Sequence, residues 1–420
     1  MEAVTKSPEY EQVIEGKYGK AISFAKTIED AAANQIRRMC YQEFTKGLDI
    51  RIMPDVHAGA GCTIGTVMTV KDKVVPNIVG VDIGCGMYTV ALDLHGVSGR
   101  KGILRLVDNI AHEIPSGMNV WEKPTLGEEF LDQLKCRDAL KDVDWLLRSM
   151  GTLGGGNHFI EMDIGSGISE PAYLVIHSGS RNLGKQVAEH YQRMAVRQRR
   201  GDVEREEKRN EIIAAYKAQG REKELQEALE GLKKESFGSD IPEDLCWLEG
   251  ELLEDYLWDM SVCQIFAERN REMIAQHIVE GLGIRCKWSK HTVHNYIDMD
   301  RRIIRKGAIS AEKSERVLIP INMRDGSILA IGKGNPSWLW SAPHGAGRIM
   351  SRAEARRKLS MSDYEEAMKG IFTTSLSLGT IDEAPMAYRG IEEILSAIKD
   401  TVEVVDILKP VWNFKASSAE

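Results

Sequence analysis

Three histidines that stand beside glycines are the residues of this chain best suited to chemistry. His158 lies in LGGGNHF, His177 in VIHSGS and His344 in SAPHGAGR, while Asp82 and Cys85 lie together in VGVDIGCG. Histidine offers a neutral nitrogen to borderline metal ions, cysteine a thiolate that can bridge two ions, and aspartate a hard anionic oxygen. This mixture of donors predicts an enzyme site that holds two metal ions.

The pair Asp82 and Cys85 is surrounded by glycines. Gly80, Gly84 and Gly86 permit the tight backbone that would point both side chains at one centre. A lone cysteine in an apolar strand is usually structural, but a buried aspartate beside it is unfavourable unless a cation or hydrogen bonds compensate its charge. We therefore favour metal ligation over a packing role for this pair.

Arginines follow two of the histidines at short range. Arg181 comes after His177 in HSGSR, and Arg348 comes after His344 in HGAGR. A guanidinium group can anchor phosphate oxygens through paired hydrogen bonds. The small residues around His344 leave its imidazole accessible, which permits a nucleophile, and a metal ligand is the competing interpretation.

In several other segments the residues leave two interpretations open. Three consecutive glycines precede Asn157 and permit close approach of backbone amides to a phosphate or a base, but a flexible turn is almost as well supported. Either His291 or His294 in KHTVHNY could be a metal ligand. MPDVHAGAG places Asp55 and His57 on a glycine-rich turn, where a purely structural role has equal support.

The composition predicts a folded protein with a substantial core. The chain has 420 residues, of which 43% are hydrophobic and 28% charged. No apolar run approaches the roughly 20 residues that span a bilayer, and the N-terminus lacks the order of a secretory signal, so we expect a cytoplasmic protein without a membrane partner. Seven cysteines without a short-spaced framework favour reduced thiols. The cysteines expected to be ordinary packing residues are Cys40, Cys62, Cys136, Cys246, Cys263 and Cys286.

A net charge of -8 argues against a protein that coats nucleic acid without specificity, because that binding requires clustered Lys and Arg. A local basic groove remains compatible with it. A solvated charged face is an equally good interpretation of either candidate cluster. The candidate contributors are Arg301, Arg302, Arg305 and Lys306, and also Arg348, Arg352, Arg356, Arg357 and Lys358.

The pattern of apolar residues predicts strands and helices in alternation. DIRIM, TIGTVMTV, the stretch around NIVGV, MYTVALDL, HFIEM, AYLVIH, VLIPINM and SILAIGKG are typical of strands. Helices are predicted over residues 104–113 and 128–147. Residues 185–282 form a helical excursion that is strongly charged between positions 197 and 235, and we interpret it as a solvated helical hairpin without chemistry. Candidate ligands lie on both sides of the excursion and no linker divides the chain, so we expect one domain over residues 1–420.

Taken together, these motifs resemble the RtcB family of RNA ligases, from about position 53 to the C-terminal tail. DIGCG, GTLGGGNHFIE, HSGSR, HN, RKGA, HGAGR and MSR occur in the family's order. The resemblance implies an α+β fold with a mixed β-sheet core and surrounding helices. It also implies that two Mn2+ ions are held by Asp82, Cys85, His158, His177 and His294, which selects His294 over His291. His344 then corresponds to the histidine that becomes guanylylated.

The resemblance implies a GTP-dependent ligase that joins RNA 3'-phosphate or 2',3'-cyclic phosphate ends to 5'-hydroxyl ends through a histidine-GMP adduct. Asp55, Arg181 and Arg348 would support the phosphates or the reacting ends, and an archease-type activator is a candidate partner. The residues implied to hold the nucleotide are Asn157, His158, Phe159, Ile160, Glu161, His294, Asn295, Pro320, Ile321, Asn322, Met323, Ser327, His344, Gly345, Ala346, Gly347 and Lys415.

The chain departs from the family pattern in two places. PINMRDGS stands where many relatives have a GSMG segment, so Asn322 replaces a serine that contacts the nucleotide. The family usually ends in a lysine-glycine pair, whereas Lys415 is followed here by ASSAE. Both departures bear on how guanosine is held.

Three other functions are weighed against RNA ligation. A metal-dependent RNA phosphoesterase would use the same ions with water as the nucleophile and would need neither GTP nor His344. A specialised relative would repair or cap particular RNA ends without a role in tRNA splicing. A protein that only binds RNA would need none of the metal ligands. The donor set also suits Zn2+, Co2+ or Fe2+, and Mn2+ is expected from the resemblance alone.

Overall fold

The computed structural model describes residues 11–93, 100–166, 171–219, 221, 224–233 and 240–416. Two large β-sheets surrounded by helices form an α+β fold, which confirms the predicted fold class. The helices are α1 (Asp30–Cys40), α2 (Pro76–Val79), α3 (Arg100–Glu113), α4 (Glu128–Leu131), α5 (Val143–Leu147), α6 (Arg181–Arg199), α7 (Asp202–Ala218), α8 (Leu225–Lys233), α9 (Glu251–Leu282), α10 (Arg352–Lys358), α11 (Met361–Ala367) and α12 (Ile391–Ala397).

The first sheet has the strand order β1-β2-β3-β4-β10-β9. Its neighbouring strands are antiparallel except for the parallel pair β2 and β3. The sheet supplies Asp55 from within β3 and Asn295 from the start of β9. Its strands are β1 (Gln12–Glu15), β2 (Lys20–Ser23), β3 (Ile50–His57), β4 (Ile64–Thr69), β9 (Asn295–Asp298) and β10 (Ile303–Lys306).

The second sheet has the order β12-β13-β16-β6-β7-β5-β8, with β15 beside β16. One face of β6 packs Ile160 and Met162 into a hydrophobic core that residues of α3 and α9 complete. The opposite face carries the candidate site residues. Its strands are β5 (Gly86–Asp93), β6 (Phe159–Ile164), β7 (Ala172–Ser178), β8 (Arg285–Val293), β12 (Arg316–Asn322), β13 (Gly326–Gly332), β15 (Phe372–Thr373) and β16 (Val402–Phe414).

A small two-stranded sheet of β11 (Ala308–Ser310) and β14 (Ser341–Pro343) leads directly to His344. In the described part of the chain, every helix is too short or too polar to cross a bilayer.

The structure corrects two predicted elements. The stretch around NIVGV is the short helix α2, because Pro76 occupies its first turn with a dihedral angle already suited to a helix, and Gly80 follows it with a φ of 103°. The predicted helix over 128–147 is interrupted between α4 and α5. There the buried Asp259 of α9 accepts hydrogen bonds from the backbone N–H groups of Lys135 and Cys136, at 2.7 and 2.9 Å. A long-range contact thus replaces the bonds of a continuous helix.

The cysteines are free thiols. Five of the six expected to be packing residues are buried, but Cys286 is exposed, so that expectation is wrong for Cys286. It lies in β8, an edge strand of the second sheet.

Candidate active site

Five potential metal ligands converge around Cys85. Its Sγ lies 3.5 Å from Nε2 of His158 and 3.2 Å from Nε2 of His177. The donor atoms of Cys85, His177 and His294 lie within 4.8 Å of one another, and so do those of Asp82, Cys85 and His158. The two groups share only Cys85. This arrangement suits two cations bridged by one thiolate.

Small residues allow the turn that carries Asp82 and Cys85 to pack closely against the neighbouring segments. Gly84 has a φ of 73°, and a Cβ there would lie only 3.0 Å from the Cβ of Ala267 in α9. A Cβ on Gly179 would lie 2.1 Å from Oδ1 of Asp82. The turn that carries the ligands is therefore packed directly against its neighbours, and side chains at these glycines would displace it.

Backbone carbonyl groups set the orientation of two imidazole rings. Nδ1 of His158 lies 2.9 Å from the carbonyl oxygen of Leu153, and Nδ1 of His177 lies 3.0 Å from that of Asn157. Because a carbonyl can only accept, Nδ1 carries a hydrogen in each ring. Nε2 of His177 keeps its lone pair for a cation, whereas Nε2 of His158 donates to Oδ2 of Asp82 at 3.0 Å and would exchange that hydrogen for a cation. His294 is buried, and its Nδ1 has no hydrogen-bond partner among the described residues. An unpaired buried nitrogen of this kind is expected where a cation binds.

The electrostatics of the cluster favour cation binding. Burial, reinforced by neighbouring imidazoles, lowers the pKa of His177 and of His294 well below the ordinary value, so both rings are neutral. Burial opposes the ionisation of Asp82, but its hydrogen bond to His158 and the charge of that ring outweigh burial and lower the pKa of Asp82 to about 2. Burial and the charge of Asp82 raise the pKa of the Cys85 thiol well above its usual range. A bound divalent cation would reverse that effect and favour the thiolate.

Buried polar residues of α9 hold the segments that carry the ligands. Oδ1 of Asn270 accepts hydrogen bonds from the backbone N–H groups of Gly151 and Thr152 at 2.7 and 3.0 Å. Nη1 of Arg271 donates to the carbonyl oxygens of Gly84 and Ser178 at 2.7 and 2.8 Å. The last helix of the segment 185–282 thus supports the site, a role that its sequence pattern did not indicate.

His344 lies beside this cluster and is held by Asp55. Nδ1 of His344 lies 2.8 Å from Oδ2 of Asp55, which is fully buried. The ring centroids of His344 and His294 are 5.0 Å apart. Nδ1 of His57 lies 3.0 Å from the backbone carbonyl oxygen of the same Asp55. Asp55 thereby fixes two imidazoles and leaves Nε2 of His344 available for chemistry.

Four of the five candidate ligands, together with His344, line one cavity of about 320 Å³, a volume within the usual range of ligand pockets. Sequence-predicted residues that line it are Asp82, Cys85, Asn157, Phe159, Glu161, His177, His294, Asn295, Pro320, Ile321, Asn322, Met323, His344, Gly345, Ala346, Gly347, Arg348 and Lys415. The predicted residues outside its wall are Asp55, His158, Ile160, Arg181 and Ser327. Of these, Ile160 points its side chain into the core on the other face of β6.

The two arginines predicted to support phosphates bind protein groups. Nε of Arg181 donates to Oγ1 of Thr152 at 3.0 Å, and its Nη2 donates to the carbonyl oxygen of Gly117 at 2.8 Å. Arg181 is close enough to Asp82 for the carboxylate charge to act on it. Arg348 lines the cavity but directs its Nη1 to Glu383, at 3.2 Å, and to the hydroxyl of Tyr388.

Glu383 is a site residue that the sequence analysis missed. Its buried carboxylate lies 3.2 Å from Nη1 of Arg348, 2.9 Å from Nη1 of Arg352 and 3.0 Å from Nζ of Lys415, and it accepts a hydrogen bond from Tyr388 at 2.6 Å. Burial opposes its ionisation, but the charges of Lys415 and Arg352 outweigh burial and lower the pKa of Glu383. Glu383 lies in TIDEAP, which carries no recognisable motif. His57, in contrast, lies in the MPDVH motif, which the sequence already indicated as a candidate together with Asp55.

The two departures from the family pattern have defined positions. Asn322 caps its own turn: Oδ1 accepts from the backbone N–H groups of Arg324 and Asp325, and Nδ2 donates to the carboxylate of Asp325. Lys415 reaches the cavity, where its Nζ pairs with Glu383 and also lies 3.4 Å from the carbonyl oxygen of Asn157. The tail at 417–420 lies outside the described residues.

Other candidates from the sequence lie away from the cluster. His291 stacks on Tyr88, with ring centroids 4.2 Å apart, and its Nε2 lies 3.2 Å from Glu272. Arg305 is fully buried and pairs with Asp298, and Lys306 donates to two backbone carbonyl groups. These two members of the first basic cluster are therefore structural.

Comparison with known proteins gives concordant results. The family model described as "tRNA-splicing ligase RtcB" matches residues 43–147 and 138–416. The RNA-splicing ligase RtcB of Escherichia coli strain K12 and the RNA-splicing ligase RtcB1 of a second E. coli strain are each 30% identical over 401 residues, covering 86% of this chain and 88% of the relative. The tRNA-splicing ligase RtcB of Aeropyrum pernix is 27% identical over 431 residues, covering 82% of each chain.

Proposed function

Because the chain belongs to the RtcB family of RNA ligases, we propose that it joins RNA 3'-phosphate or 2',3'-cyclic phosphate ends to 5'-hydroxyl ends with GTP and two Mn2+ ions. The position of His344 is the observation that carries this proposal. Its Nδ1 is held 2.8 Å from Asp55, and its ring lies beside His294 at the wall of the cavity. A histidine so held has one nitrogen left to act as a nucleophile.

The donor set fits a pair of divalent cations. One would be held by Cys85, His177 and His294, and the other by Asp82, Cys85 and His158. When bound, such ions supply positive charge that neutralises phosphate oxygens during in-line displacement. A thiolate with imidazoles also suits Zn2+, and Mn2+ is proposed on family membership.

In the first proposed step, Nε2 of His344 attacks the α-phosphorus of GTP. A P–N bond forms, the bond to the bridging oxygen breaks, and pyrophosphate leaves with the electron pair. Asp55 accepts the hydrogen bond from Nδ1 of His344, which keeps the ring in the reactive tautomer and stabilises the positive charge that develops on it.

In the following steps, an oxygen of the RNA 3'-phosphate attacks the phosphorus of the histidine-GMP adduct and releases His344. A 2',3'-cyclic phosphate is first opened by water to the 3'-phosphate. The 5'-hydroxyl of the second RNA then attacks the activated 3'-phosphate and GMP leaves. Arg181 and Arg348 are proposed to support the phosphates, Arg348 from the wall of the cavity.

The other end of the cavity is proposed to hold guanine. Glu161 lines it, is only 3% exposed, and can accept hydrogen bonds from the N1–H and N2–H groups of the base. Asn157, Phe159, Met323 and Lys415 form the adjoining wall. An acceptor at this position favours GTP over ATP.

Incubation with α-labelled GTP and Mn2+ tests the proposal. We expect an acid-labile label on the protein that is absent from the His344→Ala variant. His291→Ala is the matched control, because it removes a histidine outside the donor cluster and should keep the label. Opening of a cyclic phosphate without GTP, with no label on folded wild-type protein, would instead establish the phosphoesterase.

A further inference from the structure

A second carboxyl group lies beneath Glu161. Glu161 and Asp163 are two residues apart in β6 and so point to the same face of the sheet, opposite the core residues Ile160 and Met162. Glu161 lines the cavity, whereas Asp163 is fully buried and lies outside the cavity wall. Asp163 is therefore placed behind Glu161 and away from solvent.

Asp163 lacks the partners that a buried carboxylate requires. Within the described part of the chain, no backbone N–H group and no side-chain donor hydrogen-bonds to either oxygen of Asp163. The nearby cation of Lys415 is paired with Glu383, at 3.0 Å. An isolated buried carboxylate is strongly unfavourable. The carboxyl group of Glu161 is within hydrogen-bonding reach, so the pair can be satisfied by one shared proton.

The environment favours one proton on this pair at neutral pH. Burial raises the pKa of Asp163 to about 7. Burial, and then the charge of Asp163, raise the pKa of Glu161 well above its usual range, so the shared proton is bound to Glu161 and is donated to Asp163. Two carboxyl groups in one buried site share a proton for the same reason in other proteins.

The location of that proton determines which base edge Glu161 can bind. Guanine presents two donors, N1–H and the N2 amino group, and a Glu161 whose proton is directed at Asp163 offers the base only acceptor lone pairs. Adenine presents an acceptor at N1 beside a donor at N6, which a Glu161 that directed its O–H into the cavity would match. A carboxyl that is only an acceptor therefore selects guanine, and one that carries a proton toward the cavity also admits adenine.

We propose that Asp163 is a positioning residue for nucleotide specificity: it holds the shared proton on the side away from the cavity, so that Glu161 meets the base as an acceptor only. This inference rests on the proposed function, because it assumes that Glu161 faces guanine. Asn413 is the register partner of Glu161 in the β6–β16 pair, and its side-chain oxygen is likewise without a partner among the described residues.

Two variants of Asp163 test whether its hydrogen bond to Glu161, and not its negative charge, determines nucleotide preference. In Asp163→Asn the amide can donate to Glu161 and replace the shared proton. The leucine side chain of Asp163→Leu, which is of similar size, can neither donate nor accept a hydrogen bond. We expect Asp163→Asn to keep the preference of wild-type protein for GTP over ATP. We expect Asp163→Leu to raise the KM for GTP in the labelling reaction about tenfold with little change in kcat, and to reduce the GTP/ATP preference by a similar factor.

A double-variant cycle tests the route of the effect. In a Glu161→Gln background, Asp163→Leu should change the preference no further, because the proton would have no carboxylate to act on. Should the leucine variant not fold, as judged by circular dichroism and thermal unfolding, Asp163→Ala takes its place in the same comparison.

Two results would overturn the inference. One is an unchanged GTP/ATP preference in folded Asp163→Leu or Asp163→Ala, and the other is an equal loss in Asp163→Asn and Asp163→Leu. Both presuppose labelled wild-type protein. Wild-type protein that takes no label from any nucleotide contradicts the proposed function instead, so the two failures are distinguishable.

Discussion

The two ends of the cavity are built in different ways. At the end that carries the candidate metal ligands, all of them except His294 lie in short glycine-rich motifs, and the orientation of His158 and His177 is set by carbonyl groups close by in sequence or in space. At the end proposed to hold guanine, Glu383 and Lys415 meet through pairings between distant segments that carry no motif. Local geometry therefore presents the candidate ligands, whereas ion pairs between distant segments shape the part of the cavity proposed to hold the nucleotide.

Replacement of Cys85 should give the largest effect. Cys85→Ala removes the one donor that both ligand groups share, so we expect loss of bound metal and no detectable labelling by GTP. Metal content after dialysis and labelling with α-labelled GTP measure the two effects. Replacement of the exposed Cys286 by alanine is the matched control. Full labelling of Cys85→Ala would show that labelling does not depend on the donor shared by the two ligand groups.

Asp55→Asn should follow in magnitude. An amide in place of the carboxylate can hold the wrong tautomer of His344 and cannot stabilise its charge, so we expect adduct formation to slow by roughly 10²–10⁴-fold with little change in nucleotide affinity. Single-turnover labelling and equilibrium binding separate the two quantities. A variant that loses affinity but labels at the normal rate would place Asp55 in binding and not in reaction.

Glu383→Gln should act on affinity more than on rate. It leaves Arg348, Arg352 and Lys415 around a neutral amide, and removal of one partner from a buried ion pair typically costs about 3–5 kcal/mol. We expect a lower free energy of unfolding and a KM for GTP raised about tenfold, roughly the loss of one such contact. Denaturant unfolding and labelling kinetics provide the measurements. A reduced kcat at unchanged KM would contradict the prediction, because it would place Glu383 in the reaction and not in nucleotide binding.

The smallest expected effect is a pH dependence of stability. The pKa of Asp163 is raised by burial to about 7, above the value of about 4 in an unfolded chain. The stabilisation associated with its protonated form is therefore fully present below about pH 4 and is lost as pH rises through 7. Relative to Asp163→Asn, which has no carboxyl at this position, wild-type protein should lose free energy of unfolding over that range. Parallel curves for both proteins would contradict the burial of an unpaired carboxyl.

Much of the ligand end could be predicted because its information is local. DIGCG, GNHF and HSGSR each hold a donor beside the glycines that let it approach its neighbours, and HGAGR contains His344, which lies beside one of the candidate ligands. The α+β class and the family were also predicted and are confirmed. The prediction of a strand around NIVGV was wrong because an apolar run does not distinguish a short buried helix from a strand.

The remaining features depend on contacts between distant residues. Asp259 interrupts a predicted helix from more than a hundred positions away, and Arg271 holds the turns of Gly84 and Ser178 from within a segment interpreted as a solvated hairpin. Neither interaction can be recognised from the sequence pattern of the segment around Asp259 and Arg271.

The sequence by itself determined which donors the chain owns, the glycines that let them converge, and the family to which it belongs. Only the tertiary structure decided that Cys85 is common to two ligand groups, that Asp55 holds His344, and that Asp163 lies unpaired behind Glu161. The physical reason is that donor type and backbone freedom are properties of single residues and their neighbours, whereas burial, shared protons and ion pairs depend on which distant strands the fold brings together.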